Sequence, residues 1–378
     1  KKRQLKILFP FVGDSVGGSH ISTLGLYSSL INEGISAIIV IHKDKGPLSE
    51  YLLNKNIPFH VLKTSRLSGE VPSKLSIVVG VMINYFRFAK FIRTHEIDIV
   101  HGNDLRINLS WSLPAKFVAK GFVWHQRTLL SNSKLWLLIR YLCDYFVAIS
   151  DVVMQSAPRN IQDHQKKMIY NPFNINSSIN KELERKYTIE KYNIPSNYFL
   201  VGCVGRVVDY KNIDFIIKNI SDIYYGINKN IYLIVAGAGS EEYVNELREY
   251  AYNVGVSDHV IFTGFINDPN RLISSLDLLV APSRVDAFGR TIVEAMLQKT
   301  PVLAAKSGGH LNIISEGVNG MFYDPAIKGD FIKEFSTVIR NRNVSALSNK
   351  AYHFAQDNFS STQHLNNMLL VYNHLLIS

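Results

Sequence analysis

Cysteine is nearly absent: 378 residues contain two, Cys143 and Cys203, both inside apolar runs. That excludes a disulfide framework and a metal knuckle, and it is the usage of a reducing compartment. Charged residues are few, 19% against 47% hydrophobic, which excludes a disordered chain. No apolar run approaches the roughly 18 uninterrupted residues of a membrane-spanning helix. Lys1-Lys2-Arg3 before Leu5 to Val12 imitates a signal peptide, but Lys6 and Pro10 break the run and no small-residue cleavage pattern follows, so a first strand is expected. No Asp-x-Asp triplet and no His/Cys ligand spacing occurs, so no metal ion and no cofactor is expected. The expected setting is cytoplasmic.

Acids are short in one half only. Residues 1–172 carry a net charge of +11 and the remainder −1, within a total of +10. A basic half suits an anionic membrane face, an acidic substrate or nucleic acid. Nucleic acid is excluded as a partner because no recognition helix, zinc knuckle or aromatic-basic sheet accompanies the charge. In the segment 74–95 an apolar face sits beside Arg87, Lys90 and Arg93, as on a helix lying on an anionic membrane. A crossover helix covering a sheet has the same pattern. The polar stretch 64–73 precedes it.

The length predicts two domains. In the first half, short apolar runs at 5–11, 37–42, 59–62, 97–101, 121–124 and 145–149 alternate with helical spacing at 19–32, 74–95, 105–118 and 151–157. The alternation restarts at 199–204 and continues through 231–236, 260–263, 278–281 and 302–305. Strand–helix alternation implies doubly wound parallel sheets, whose ligands bind beyond the carboxyl ends of the strands. The predicted boundaries are 1–172, a polar linker at 173–197, 198–360, and a last helix at 361–378.

Candidate residues cluster at those strand ends. Gly13 to Ser19 follows the first strand and opens a helix, either as a plain tight turn or as a loop whose amides approach a phosphate or sugar. His101-Gly102-Asn103-Asp104 and His125-Gln126-Arg127 end two further strands. Arg206 and Lys211 stand five residues apart across a strand-to-helix turn, a fork and a point charge that can meet one diphosphate. Gly237-Ala238-Gly239 suggests a dinucleotide fingerprint, but its third glycine would fall at Glu242, where a carboxylate would repel a pyrophosphate. In the stretch 281–320, Asp286 and Glu294 stand eight positions apart around Phe288-Gly289-Arg290, at what reads as a helix start. Free amides and the helix dipole favour an anion there, and the two acids suit a sugar and a ribose. Two acids at such a spacing also suit a plain helix cap and a solvated face.

Taken in order, these motifs resemble a retaining GT-B glycosyltransferase of glycosyltransferase family 4. Gly17-Gly18, Asp98 to His101, His125, Asp144 to Ser150, Ile169 to Pro172, Gly205-Arg206 with Lys211-Asn212, and Gly237-Ala238-Gly239 carry the resemblance. So do Phe262 to Phe265, Ala281-Pro282-Ser283, the paired acids, Ser307-Gly308-Gly309 and Glu316 to Gly320. The resemblance implies two facing Rossmann-like domains with a cleft between them and a C-terminal helix crossing back to the N-terminal domain. It implies a sugar moved from a nucleoside-diphosphate donor, with UDP favoured, to a saccharide or lipid-linked acceptor, with retention and without metal. Bacterial surface-polysaccharide synthesis and peripheral contact with an anionic membrane are the expected setting. By resemblance, Arg206 and Lys211 bind the diphosphate, and Glu294 takes the ribose. Asp286, Ala287, Phe288, Gly289 and Arg290 hold the sugar and distal phosphate. Gly17 and Gly18 close over the phosphates, Gly264 and Phe265 lie near the base, and His125 meets the transferred sugar. Ser19, His101, Asn103 and Arg127 are expected at the acceptor. The family's first motif acid is usually Glu, so Asp286 reaches one methylene less far. A nucleotide-sugar epimerase of the same fold and a non-catalytic carbohydrate-binding subunit remain alternatives.

Overall fold

The structure is a computed structural model describing residues 5–64, 74–174, 179–340 and 344–377. Lys1 to Arg3 and nearly all of the polar stretch 64–73 therefore lie outside the described residues. The chain divides into two compact units, 1–173 with 359–378, and 174–358.

The first unit is built on a parallel sheet of seven strands: β1 (Lys6–Phe11), β2 (Ser36–Ile41), β3 (His60–Val61), β4 (Ile99–Gly102), β5 (Gly121–Gln126), β6 (Tyr145–Ala148) and β7 (Lys166–Met168). Their order is β3-β2-β1-β4-β5-β6-β7. Helices α1 (Gly18–Asn32), α2 (Pro47–Asn54), α3 (Lys74–Thr94), α4 (Leu105–Val118), α5 (Ile139–Leu142) and α6 (Asp151–Ser156) connect them. The central strands are apolar at nearly every position because helices cover both faces, leaving no solvated side that would impose alternation. Asp104 caps α4 by accepting from the Ile107 amide at 3.0 Å. α3 is a crossover helix: Phe88 stacks on Trp111 of α4 with ring centroids 4.1 Å apart. It nevertheless leaves Met82, Ile83 and Phe86 exposed beside Arg87, Lys90 and Arg93.

The second unit opens with α7 (Lys181–Lys191), inside the segment expected to be a linker. Its polar composition hides the helix, which is fixed by specific polar contacts. Arg185 pairs with Asp277 at 2.8 Å, Glu184 accepts from Arg271 at 3.0 Å, and Thr188 donates to Ser275 at 3.0 Å. A six-stranded parallel sheet follows: β8 (Phe199–Val204), β9 (Ile231–Ala236), β10 (Val260–Gly264), β11 (Leu278–Ala281), β12 (Val302–Ala305) and β13 (Met321–Tyr323), in the order β10-β9-β8-β11-β12-β13. Its helices are α8 (Ile213–Gly226), α9 (Glu241–Asn253), α10 (Pro269–Ser275), α11 (Arg290–Leu297), α12 (His310–Ile313), α13 (Asp330–Arg340) and α14 (Val344–Phe359).

The last helix, α15 (Ser361–Ile377), belongs to the first unit and packs on α1. Leu365, Met368, Val371, Tyr372 and Leu375 form its buried stripe at helical spacing and join the first unit's core. Among the described residues, no helix is long and apolar enough to cross a membrane.

Candidate functional site

In the second unit the candidate residues gather at the carboxyl edge of the sheet. β8 and β11 are adjacent and parallel, so the loops leaving them share one edge. From β8, Arg206 donates to the Tyr210 hydroxyl at 2.6 Å. The Tyr210 carbonyl accepts from the Arg284 amide at 3.1 Å, tying this loop to the one after β11. Lys211 then reaches Asp286 with Nζ to Oδ2 at 2.7 Å. Asp286 is mostly enclosed, 19% exposed, and Oδ1 accepts from the Phe288 amide at 3.2 Å. The ring of His310 stands 3.7 Å from Oδ2.

Burial alone would raise the Asp286 pKa, but His310 and Lys211 outweigh it and hold the carboxyl well below its usual range. Asp286 is thus an anion whose orientation is fixed from three sides. His310 is itself fixed, since its Nδ1 lies 2.9 Å from the Ala305 carbonyl, an atom that can only accept. Nδ1 therefore carries a hydrogen.

Two glycines bring the loop after β12 against this acid. The Gly309 amide donates to the Asp286 carbonyl at 2.8 Å, and a Cβ on Gly309 would sit 2.5 Å from the Phe288 Cα. A Cβ on Gly308, whose φ is +51°, would collide with the Asp286 carbonyl oxygen. Helix α11 begins after its N-cap residue Gly289, φ +99°, without a side-chain cap. One turn in, Glu294 accepts from Arg290 at 3.0 Å. Burial raises the Glu294 pKa, opposed by that guanidinium. At the ends of β9 and β10, Gly237 donates to the Gly264 carbonyl at 2.9 Å, and the neighbouring Phe265 ring is 73% exposed. The described residues contain no group of three or more acids, histidines or cysteines able to hold a metal ion.

In the first unit, Gly17 and Gly18 are exposed at the start of α1, with Ser19 half-buried beside them. The acid of that loop, Asp14, is clamped by Arg106 at 2.6 and 2.9 Å, which lowers its pKa.

The other first-unit candidates form an interior network rather than an open acceptor face. His101 and Asn103 are 0% exposed and Arg127 is 7% exposed. Asn103 donates to the Pro10 carbonyl at 3.0 Å, while Arg127 bonds Asn171 and the Thr23 hydroxyl. His101 is engaged on both nitrogens, by Tyr372 at 2.7 Å and His125 at 3.0 Å. Of the residues expected at the acceptor, His101 spends both ring nitrogens on Tyr372 of α15 and His125, whereas Asn103 keeps an Oδ1 with no hydrogen-bond partner among the described residues. His125 is also fully buried, but its Nε2 has no hydrogen-bond partner among the described residues. Sequence reasoning missed Tyr210, His310 and Tyr372. Only Tyr210, adjacent to Lys211, carried a local signal.

Residues 184–355 match the family described as Glycosyl transferases group 1. The chain is 31% identical over 174 residues to the uncharacterized glycosyltransferase MJ1607 of Methanocaldococcus jannaschii, covering 44% of this chain and 43% of that protein. It is 29% identical over 217 residues to the O-antigen biosynthesis glycosyltransferase WclY of Escherichia coli, 56% of each chain. The chain thus spans about half the length of these curated relatives. The crystal structure of Anabaena Alr3699/HepE in complex with UDP and glucose superposes with a TM-score of 0.83 over 98% of this chain and 100% of that one. At 21% identity, that likeness establishes the fold.

Proposed function

From the match of residues 184–355 to glycosyl transferases group 1, we propose that this chain is a retaining, metal-independent glycosyltransferase. It moves a sugar from a nucleoside-diphosphate donor to a saccharide or lipid-linked acceptor. The observation that carries the reading is the cluster of Arg206, Lys211 and Asp286 around the glycine turns at 289, 308 and 309.

Cleavage of a sugar–phosphate bond builds positive charge on the anomeric carbon and negative charge on the departing diphosphate. Arg206, Lys211 and the uncapped start of α11 neutralise the leaving group, the task a metal performs elsewhere. Lys211 lies against Asp286, so one cation links the anion that grips the sugar to the phosphates that leave. Asp286 accepts from sugar hydroxyls, and Glu294, aligned by Arg290, accepts from the ribose. UDP is the favoured carrier, by analogy with the UDP-bound Alr3699/HepE structure. Surface-polysaccharide synthesis is favoured by the likeness to an O-antigen enzyme.

Contact with an anionic membrane fits a lipid-linked acceptor. Leu135, Leu137, Leu138 and Tyr141 are exposed beside Lys134 and Arg140, in a stretch between Asp104 and Asp144 that has no carboxylate.

Arg206→Ala and Lys211→Ala should each lose transfer by about 10²- to 10³-fold with an unchanged thermal melt. Chelation should leave the wild-type rate unaltered. Full activity in both variants, or a rate that collapses on chelation and returns with magnesium, overturns the reading. Incubation with donor alone separates out an epimerase, which needs no acceptor.

A further inference from the structure

The hydrogen-bond chain through the first unit has a direction that its chemistry fixes. Arg127 Nη2 lies 3.4 Å from His125 Nδ1, at the long end of hydrogen-bond reach, and a guanidinium can only donate. His125 Nδ1 is therefore the acceptor. His101 Nε2, 3.0 Å from the same atom, carries the hydrogen it donates there. A neutral imidazole with hydrogen on Nε2 accepts at Nδ1, so the Tyr372 hydroxyl, 2.7 Å away, is the donor at the head of the chain. At the far end, the proton of neutral His125 must sit on Nε2, the atom without a hydrogen-bond partner among the described residues. Burial and Arg127 hold both histidines well below the ordinary imidazole pKa, so each is neutral at pH 7.

A buried donor without an acceptor is costly, and native folds rarely keep one without a use. Tyr372 is fully buried on the C-terminal helix, 271 residues from His101 in sequence, so the network joins the last helix to the middle of the sheet. The ring of His364 stacks beside that of His125 with centroids 6.4 Å apart; its Nδ1 donates to the Tyr170 carbonyl at 2.6 Å, and its bare Nε2, like the Nε2 of His125, has no hydrogen-bond partner among the described residues.

We propose that Tyr372 and His101 are positioning residues. They lock His125 in the Nε2–H tautomer, so that it presents one neutral N–H donor to an oxygen of the sugar-bearing ligand. The ligand class rests on the transferase reading above; the tautomer does not. The C-terminal helix would then do more than close the core: its Tyr372 hydroxyl sets the proton position on a residue of β5 with one histidine between them.

The test has one arm for each part. In the first, wild-type protein with ¹⁵N-labelled histidine is examined by long-range ¹H–¹⁵N correlation at pH 7. His125 should show a protonated Nε2 and a bare Nδ1; the opposite pattern overturns the proposal with no variant or activity needed. In the second, Tyr372→Phe removes the head donor and frees His101 Nδ1 to take the hydrogen. His125 should then populate both tautomers, and kcat should fall about tenfold with the donor KM unchanged. His101→Gln, which can accept from Tyr372 through its carbonyl and donate to His125 through its amide, should restore most of the rate lost in His101→Leu. Tyr372→Phe with an unaltered His125 spectrum, or a lost rate without a tautomer change, overturns the relay. A protein that keeps the tautomer pattern yet binds no nucleotide sugar by calorimetry defeats the transferase reading and the proposed ligand together, while leaving the lock itself standing.

Discussion

At the scale of single residues, the second unit's site is set by how closely backbone approaches backbone. Gly309 is packed where a Cβ would sit 2.5 Å from the Phe288 Cα, and neither partner can rotate away as a side chain would. Gly309→Ala must push the 286–288 turn outward. It should cost about 1–3 kcal/mol of stability and weaken UDP binding at least tenfold, measured by thermal melting and calorimetry. An unchanged melt and affinity would mean that the turn does not hold Asp286 in place. Asp286 sets a pH dependence of its own. Its folded pKa is depressed by His310 and Lys211, so it contributes stability above the unfolded value near 3.9 and loses it as the pH falls below. Glu294 moves the other way, because burial favours its neutral form. Its charge should be lost at a pH above the ordinary glutamate range; if Glu294 accepts from the ribose as proposed, donor KM should rise in acid.

At the scale of elements, the polar helix and the exposed turn carry the information that periodicity misses. The segment Lys134–Leu142 follows β5 and exposes Leu135, Leu137, Leu138 and Tyr141, with the Arg140 guanidinium 5.7 Å from the Tyr141 ring centroid. Lys134 and Arg140 pair with no carboxylate among the described residues. If this turn meets an anionic bilayer, the triple change Leu135→Ser, Leu137→Ser, Leu138→Ser should cut retention on phosphatidylglycerol vesicles at least tenfold, while neutral vesicles retain neither protein. Equal retention of both proteins on the charged vesicles contradicts it, and a shift from dimer to monomer in sedimentation would assign the patch to a second copy. Legibility followed the same division. β8, β9, β11 and β12 were readable because buried parallel strands are continuous apolar runs. β7, Lys166–Met168, and β13, Met321–Tyr323, are three-residue edge strands with too little sequence to show a period. α7 was hidden because ion pairs, not an apolar stripe, fix it to its unit. In the site, Asp286 and Glu294 with Arg290 were legible from local spacing, as was the cation pair. His310 and Tyr372 were not, since their partners lie 24 and 271 residues away.

At the scale of the whole molecule, the two units differ in how they meet acid. The first unit buries five histidines with depressed pKa values, His20, His42, His101, His125 and His364; burial is the largest cause at His20 as at the others. His42 is held down to about 4 by burial and by Arg87, although the Leu62 carbonyl pulls it up. His364 is held at about 3 by burial and Arg127, against the Tyr170 carbonyl. His101 and His125 lie well below the ordinary value through burial and Arg127, with His364 adding at both and His101 adding at His125. Every one of these folded values is depressed, so the stability they contribute is present above the unfolded pKa near 6.5 and is lost as pH falls toward the folded values. Over that window the unfolded chain binds protons the unit refuses, at about 1.4 kcal/mol per pH unit for each group. In the second unit the raised pKa values of Glu294 and Glu316 act in the opposite sense, since the folded form takes up protons before the unfolded one. The first unit should therefore open first on acidification. Hydrogen exchange followed by mass spectrometry at pH 7 and pH 5 should show protection falling across β4, β5 and α15 while β8 and β11 hold. Parallel loss in both units, or earlier loss in the second, would mean that the buried histidines are not what limits the molecule in acid. His42→Gln should delay the opening if Gln can accept from Trp111 Nε1 and donate to the Leu62 carbonyl, as His42 does at 2.9 and 2.8 Å, because an amide keeps the contacts and takes up no proton.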